Sequence, residues 1–169
     1  HPIITELPQP RGAVTALALD ALLENLYVGT ADGQVVHVAL SETEPPEMRA
    51  AYTVAAPSTA VTALGFLSGD RSLVVMSEDG AVSTWGLVRR ADAPSGWKLT
   101  QIHTLRAHNA PVTAFAPSQR VKGFVTGDMK GNLFLHHATS SQTLLRLANS
   151  EFPIRAVAFA PKGDGLIAL

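Results

Sequence analysis

One phrase occurs four times in this chain. Val14-Thr15-Ala16-Leu17 returns as Val61-Thr62-Ala63-Leu64, as Val112-Thr113-Ala114-Phe115 and, more loosely, as Ile154-Arg155-Ala156-Val157, at intervals of 47, 51 and 42 residues. A period in the forties built on short apolar strands points to a propeller or a strand array rather than to a single enzyme fold. One such unit cannot bury its own apolar faces, so neighbouring units must stack.

Each unit follows one grammar: a strand beginning Val-Thr-Ala, a polar turn, a second strand, a tight turn, a third strand and a looser fourth. The units run over about 13–54, 60–105 and 111–147, and a fourth begins at 154–169. Asp32-Gly33 and Asp79-Gly80 stand between strand-like runs and predict hairpins of type I′, with both central residues at positive φ. The third unit has Lys130-Gly131 there instead, with Asp128 just before. Ala21-Leu22-Leu23-Glu24 is compatible with one helical turn. No segment keeps a 3.6-residue period over three turns, and β-branched and aromatic residues fill the strands. The expected class is all-β, a partial propeller of about three and a half blades of four antiparallel strands.

Charge narrows the partners. Thirteen Lys and Arg nearly balance fourteen Asp and Glu, which offers no basic footprint for nucleic acid or an anionic membrane. The chain has no cysteine, so thiolate metal sites, disulfides and cysteine nucleophiles are excluded. No run of about 18 apolar residues is present, the length a spanning helix needs. The chain opens at His1 and stops at Leu169 inside an apolar run, and is expected to be a piece of a longer one.

At these residues the chain resembles WD40 repeats. Ala107-His108 stands where the family has Gly-His, ahead of Pro111-Val112-Thr113. Phe159-Ala160-Pro161 is similar to the family's Phe-Ser-Pro. Trp85 holds the tryptophan position five residues after Gly80, whereas Val38 and His136 replace it in the first and third repeats, and Gly86 stands where Asp follows Trp. The resemblance implies a buried hydrogen-bonded set of His, turn Asp, strand Ser or Thr, and Trp. No repeat here has all four, so the blades are expected to rest more on apolar packing, with His108 and Trp85 structural. More narrowly, Arg120 to Gly131 and Leu133-Phe134-Leu135-His136-His137 resemble the WD40-like extracytoplasmic domain of bacterial ABC transporter permeases of the phosphate-uptake type. That resemblance implies a parent protein in the bacterial inner membrane, this domain on its periplasmic side, and partners among other transporter components such as the solute-binding protein. Transport residues of such permeases lie in their membrane helices, so none carries over.

The reading is of a non-catalytic interaction or regulatory domain, without cofactor or metal; the alternative is a soluble WD40 scaffold in a multiprotein complex. His136 and His137 are adjacent on a strand and point to opposite faces, which does not suit chelation of one metal. Asp32 and Asp79 are explained by turn chemistry, and Asp128 is either a turn residue or exposed. Gly127 to Gly131 lacks the Lys-Ser/Thr of a phosphate loop, and no nucleophile elbow is present. Arg89, Arg90, Arg106, Arg120, Lys122 and Lys130 either line a rim that attracts an anion such as phosphate or form a solvated surface. Glu42, Glu44 and Glu47 read as a solvated face. Trp97, beside a Pro-containing loop, is either an exposed aromatic anchor or a cap on the blade edge. Trp97, Arg89 and Arg90 are the candidate partner-binding residues. A propeller closes with four to eight blades, so open blade edges are expected to be covered by further blades or by a second copy in a homodimer.

Overall fold

The computed structural model describes residues 10, 12–40, 47–53, 59–67, 69, 72–93, 96–118, 122–140, 142–160 and 165–169. Strands β1 (Val14–Leu19), β2 (Asn25–Thr30), β3 (Gln34–Ala39) and β4 (Glu47–Thr53) pair in order as an antiparallel sheet. So do β5 (Val61–Phe66), β6 (Ser72–Ser77), β7 (Val82–Arg89) and β8 (Trp97–Leu105), and then β9 (Val112–Pro117), β10 (Gly123–Asp128), β11 (Asn132–His137) and β12 (Thr143–Asn149). β13 (Val157–Phe159) and β14 (Leu166–Ala168) form a two-stranded sheet. β1 packs on β5, β5 on β9 and β9 on β13, so the first strand of each sheet lies innermost. The architecture is an all-β partial propeller: three four-stranded blades and the first hairpin of a fourth.

The repeated phrase makes the joints between blades. Thr62 Oγ1 donates to the Val112 carbonyl (2.7 Å) and Thr113 Oγ1 to the Ile154 carbonyl (2.6 Å), so each threonine grips the first residue of the next repeat. That first residue needs room. A Cβ on Gly29 would lie 2.7 Å from Val61 Cγ1, and one on Gly127 would lie 2.4 Å from Ile154 Cγ2. Apolar clusters fill the seams. Tyr27, Val35, Val61, Leu73, Val75, Trp85 and Leu99 join the first two blades. Val74, Met76, Val82, Leu105, Val112 and Phe124 join the second and third.

The hairpin turns differ from the type I′ expectation. Gly33, Gly80 and Gly131 have φ of 81°, 83° and 79°, whereas Asp32, Asp79 and Lys130 do not have positive φ. Gly33 N–H donates to the Thr30 carbonyl, Gly80 N–H to that of Ser77 and Gly131 N–H to that of Asp128. This is a type I turn closed by a left-handed glycine, which uses one more residue than a two-residue loop and asks for positive φ only at the glycine. Ala21 to Leu23 form a turn and not a helical one. Leu23 has φ 59°, and Asp20 Oδ1 accepts from Glu24 N (2.8 Å) and Asn25 N (3.0 Å).

Candidate functional site

Trp97 opens β8 directly opposite Arg89, the last residue of β7. Inward from that pair the sheet is apolar: Leu87 faces Leu99, and Trp85 follows. These side chains meet Tyr27 of the first blade and Phe66 of β5 around a groove of about 450 Å³, with Leu73 in its floor. Tyr27, Leu73, Trp85 and Leu99 are buried, while Trp97 remains 46% and Leu87 37% exposed. The floor is rigid by construction. Trp85 Nε1 donates to Ser83 Oγ (2.7 Å), and Tyr27 stacks on His37 (4.7 Å between centroids) and meets Phe66 edge-on (5.6 Å). His37 Nε2 is in turn 2.8 Å from Asn25 Oδ1. Arg89 is exposed beside this groove. Arg90 is exposed as well, and its Nε lies 3.1 Å from Asp92 Oδ1, a pairing that holds the Asp92 carboxyl below its ordinary range. At such exposure the pair contributes little to stability. The three candidate partner residues therefore occupy one end of the second blade, with Trp97 on the groove, Arg89 across from it and Arg90 turned to Asp92.

Tyr27 and Phe66 were not singled out from the sequence. Their signal was present in the alternation of β2 and β5, but assigning them to a common groove requires knowing which face of each blade meets the next.

A second, polar constellation lies buried in the third blade. Asp128 and His136 are fully buried and His108 is 7% exposed. Asp128 is therefore a core residue. His108 Nδ1 is 2.7 Å from Asp128 Oδ2, His108 Nε2 is 2.7 Å from Thr126 Oγ1, and Thr126 Oγ1 is 2.6 Å from His136 Nε2. His136 Nδ1 reaches Thr143 Oγ1 at 3.1 Å. A carboxylate only accepts, which orients the whole chain: Thr143 donates to His136, His136 Nε2–H to Thr126, Thr126 to His108, and His108 Nδ1–H to Asp128. Both imidazoles are neutral in this arrangement. Burial pushes His136 down to about 4, with repulsion from His108 adding to it. Burial also lowers His108, against the raising effect of Asp128. For Asp128, burial alone would raise the carboxyl, but hydrogen bonds from His108 and Asn132 outweigh it and the net shift is downward.

In the third blade this network adds a buried polar set to the apolar packing on which the blades were expected to rest. In the third blade His136 takes the tryptophan position and closes the set, because an imidazole offers a ring donor where an indole would. The carboxylate has also moved. Asp79 Oδ1 caps its own turn, accepting from Ser77 Oγ (2.6 Å) and Ala81 N (3.1 Å), and Thr30 Oγ1 likewise donates to Asp32. In the third blade the acid stands two residues earlier, where Asp128 Oδ1 accepts from Lys130 N and Asn132 N, both at 2.9 Å. His137 is half-buried and lies 3.2 Å from Thr139 Oγ1, on the other face from His136. Among the described residues no three His, Asp or Glu side chains converge as a metal would require.

Of the other basic positions, Lys122 is exposed, Arg106 and Lys130 border a common groove, and Arg120 lies outside the described residues. Glu42 and Glu44 also lie outside them, as does the side chain of Glu47.

The stretch from Leu99 in β8 to His137 at the end of β11 matches the family model of the WD domain, G-beta repeat. The stretch of residues 99–137 is thus similar to a WD40 repeat. It runs from the outer strand of one blade into the inner three of the next, which is how the Val-Thr-Ala strand comes to follow His108. Solved structures share the fold over almost the whole chain. The computationally designed Ika4 protein is 21% identical with a TM-score of 0.74, covering 100% of this chain and 98% of that one. The computationally designed Ika8 protein, also 21% identical and with a TM-score of 0.74, covers 97% of this chain, which spans 45% of its length. Saccharomyces cerevisiae Sqt1 is 17% identical with a TM-score of 0.75, covering 98% of this chain, which spans 44% of its length. No curated protein matches the sequence. The matched stretch carries the polar network between His108 and His136, while the aromatic groove lies on the blade before it.

Proposed function

We propose that this domain is a non-catalytic protein-interaction module that takes up a partner at the aromatic groove around Trp97, and that its parent is a bacterial ABC transporter permease of the phosphate-uptake type. The observation that carries the interaction reading is the half-exposed Trp97 over a floor of buried Tyr27, Leu73, Trp85 and Leu99. A large aromatic held on a rigid apolar floor loses little entropy when it is covered. WD40 repeats serve generally as binding scaffolds, and the polar groups of this one are spent on one another. The permease reading rests on the likeness of Arg120 to Gly131 and Leu133 to His137 to the extracytoplasmic domain of those permeases. It places the parent in the inner membrane, this domain in the periplasm, and the partner among the transporter components. The outer faces of the arc are where further blades or a second copy would add. Leu17 and Leu19 are exposed at one end and Ile167 and Leu169 at the other.

The test places a photo-crosslinking residue at Trp97, and as a control at Lys122, in the parent protein in its source cells, followed by alkaline carbonate extraction of the membranes. Retention in the pellet, with a crosslink to a transporter component from position 97 alone, is expected. Release into the soluble fraction defeats the permease reading and leaves a soluble scaffold. Equal crosslinking from positions 97 and 122 defeats the groove.

A further inference from the structure

At the opposite end of the strands, the third blade carries a groove of about 480 Å³ with a different character. Arg106 and Asn109 reach it from the β8–β9 loop, Lys130 from the β10–β11 turn, Asn132 from the start of β11 and Arg146 from β12. Among the described residues three cations line it and no carboxylate does. Two acids of the neighbouring turns already carry hydrogen bonds. Asp128, fully buried, is bonded by His108, Lys130 N, Asn132 N and Asn132 Nδ2. Asp79, whose field reaches Arg106, is bonded by Ser77 and Ala81.

Two of the cations are held in place. Arg146 Nη2 donates to Asn132 Oδ1, and its guanidinium lies 5.9 Å over the Phe134 ring. That bond uses one donor of a five-donor fork. Lys130 Nζ donates to the Asn109 carbonyl at 3.4 Å. Among the described residues none of Arg106, Lys130 and Arg146 forms an ion pair. Cations gathered without an ion-pair partner repel one another, and a positioned guanidinium matches the geometry of a carboxylate or phosphate.

We infer that this groove is an oxyanion site, built to take a carboxylate or phosphate group between Arg106, Lys130 and Arg146. It is independent of the aromatic groove and of the permease reading. Free phosphate and the acidic side chains of a protein segment share this chemistry, and the test separates them. The 169-residue chain is titrated by NMR with inorganic phosphate and, separately, with a hexaglutamate peptide, at low and at physiological salt. Saturable shifts at the side-chain amides of Asn109, Asn132 and Asn149 are expected with at least one probe. Arg146→Gln and Arg106→Gln should each weaken that binding roughly tenfold, the loss of one charge-assisted contact. Lys122→Gln, outside the groove, should leave it unchanged. Response to phosphate alone assigns a free anion, response to the peptide an acidic segment, and both support the site. Non-saturating shifts, or equal weakening by Lys122→Gln, overturn it. Arg106 and Arg146 are both exposed, so the variants are expected to fold, which thermal melting checks.

Discussion

Mild acid should destabilise this domain through His136. The side chain has no exposed surface. Its ring is packed 4.9 Å from Phe124 and hydrogen-bonded to Thr126 and Thr143. Its pKa is lowered from 6.5 to about 4. A base whose folded pKa is depressed binds fewer protons folded than unfolded. Its contribution is therefore full above about 6.5 and is lost as the pH falls toward about 4. A shift of this size corresponds to about 3 kcal/mol at the limit, of which about 2 kcal/mol disappears between pH 7 and pH 5. His108 is shifted the same way and adds with the same sign. For a chain of this length the loss corresponds to a melting temperature lower by about 6 °C.

Urea unfolding followed by tryptophan fluorescence at pH 7, 6 and 5 measures it. His136→Phe should flatten the slope by more than half, since Val and Trp hold the equivalent place in the other repeats and an apolar side chain fits there. His137→Gln, on the other face of the strand, should leave the slope as it is. A wild-type change below about 0.5 kcal/mol, or a full slope retained in His136→Phe, would refute the reasoning.

Four further substitutions probe the blades and their turns. Ser83→Ala removes the acceptor of the buried Trp85 indole N–H and should cost about 1–3 kcal/mol in urea unfolding. Thr84→Val deletes a buried hydroxyl that has no hydrogen-bond partner among the described residues; it should be neutral or stabilise by up to about 1 kcal/mol, read as a higher urea midpoint. Gly80→Ala puts a Cβ 2.7 Å from the His108 carbonyl oxygen at φ +83°, whereas Gly69→Ala meets open space at φ +88°. Gly69→Ala should cost about 1 kcal/mol of conformational strain and Gly80→Ala more than about 3 kcal/mol, compared by thermal melting.

The joints were the legible part of the sequence. Val-Thr-Ala recurs because it serves the contact between blades: Val61 and Val112 fill seams, and Thr62 and Thr113 reach the next repeat's carbonyl. Turn glycines were legible for the same reason, since positive φ leaves little choice of residue. The turn type was not, because Asp-Gly occurs both in two-residue loops and in type I turns closed by glycine. The polar set of the third repeat was hidden by two displacements. Its acid moved from the position of Asp79 to that of Ser77, and histidine stood in for tryptophan. Each residue alone read as ordinary, and only the fold brings Asp128, 20 residues along the chain, to His108. Trp97 could be named as an anchor but not its setting, because Tyr27 and Phe66 reach the groove from other strands, and the seam between blades decides which of their faces meet.

The third blade's two polar devices share one foundation, and Asp128→Asn tests it with opposing signs. Arg146 rests on Asn132, Asn132 on Asp128, and Asp128 on His108. Replacing the carboxylate by an amide keeps the volume but faces an N–H₂ toward donors, so the hydrogen-bond chain loses its terminal acceptor. Stability should fall by about 3 kcal/mol, the scale for breaking a buried charged hydrogen-bond network. The effect on anions separates charge from position. The substitution removes a negative charge beneath the basic groove, so if net charge alone governed affinity, phosphate or hexaglutamate would bind more tightly. If the orientation of Arg146 governs it, affinity should fall despite the gain in positive potential. A titration of the folded variant at pH 7, below its melting temperature, decides between the two, and tighter binding would show that the groove acts by charge and not by the geometry Asn132 imposes.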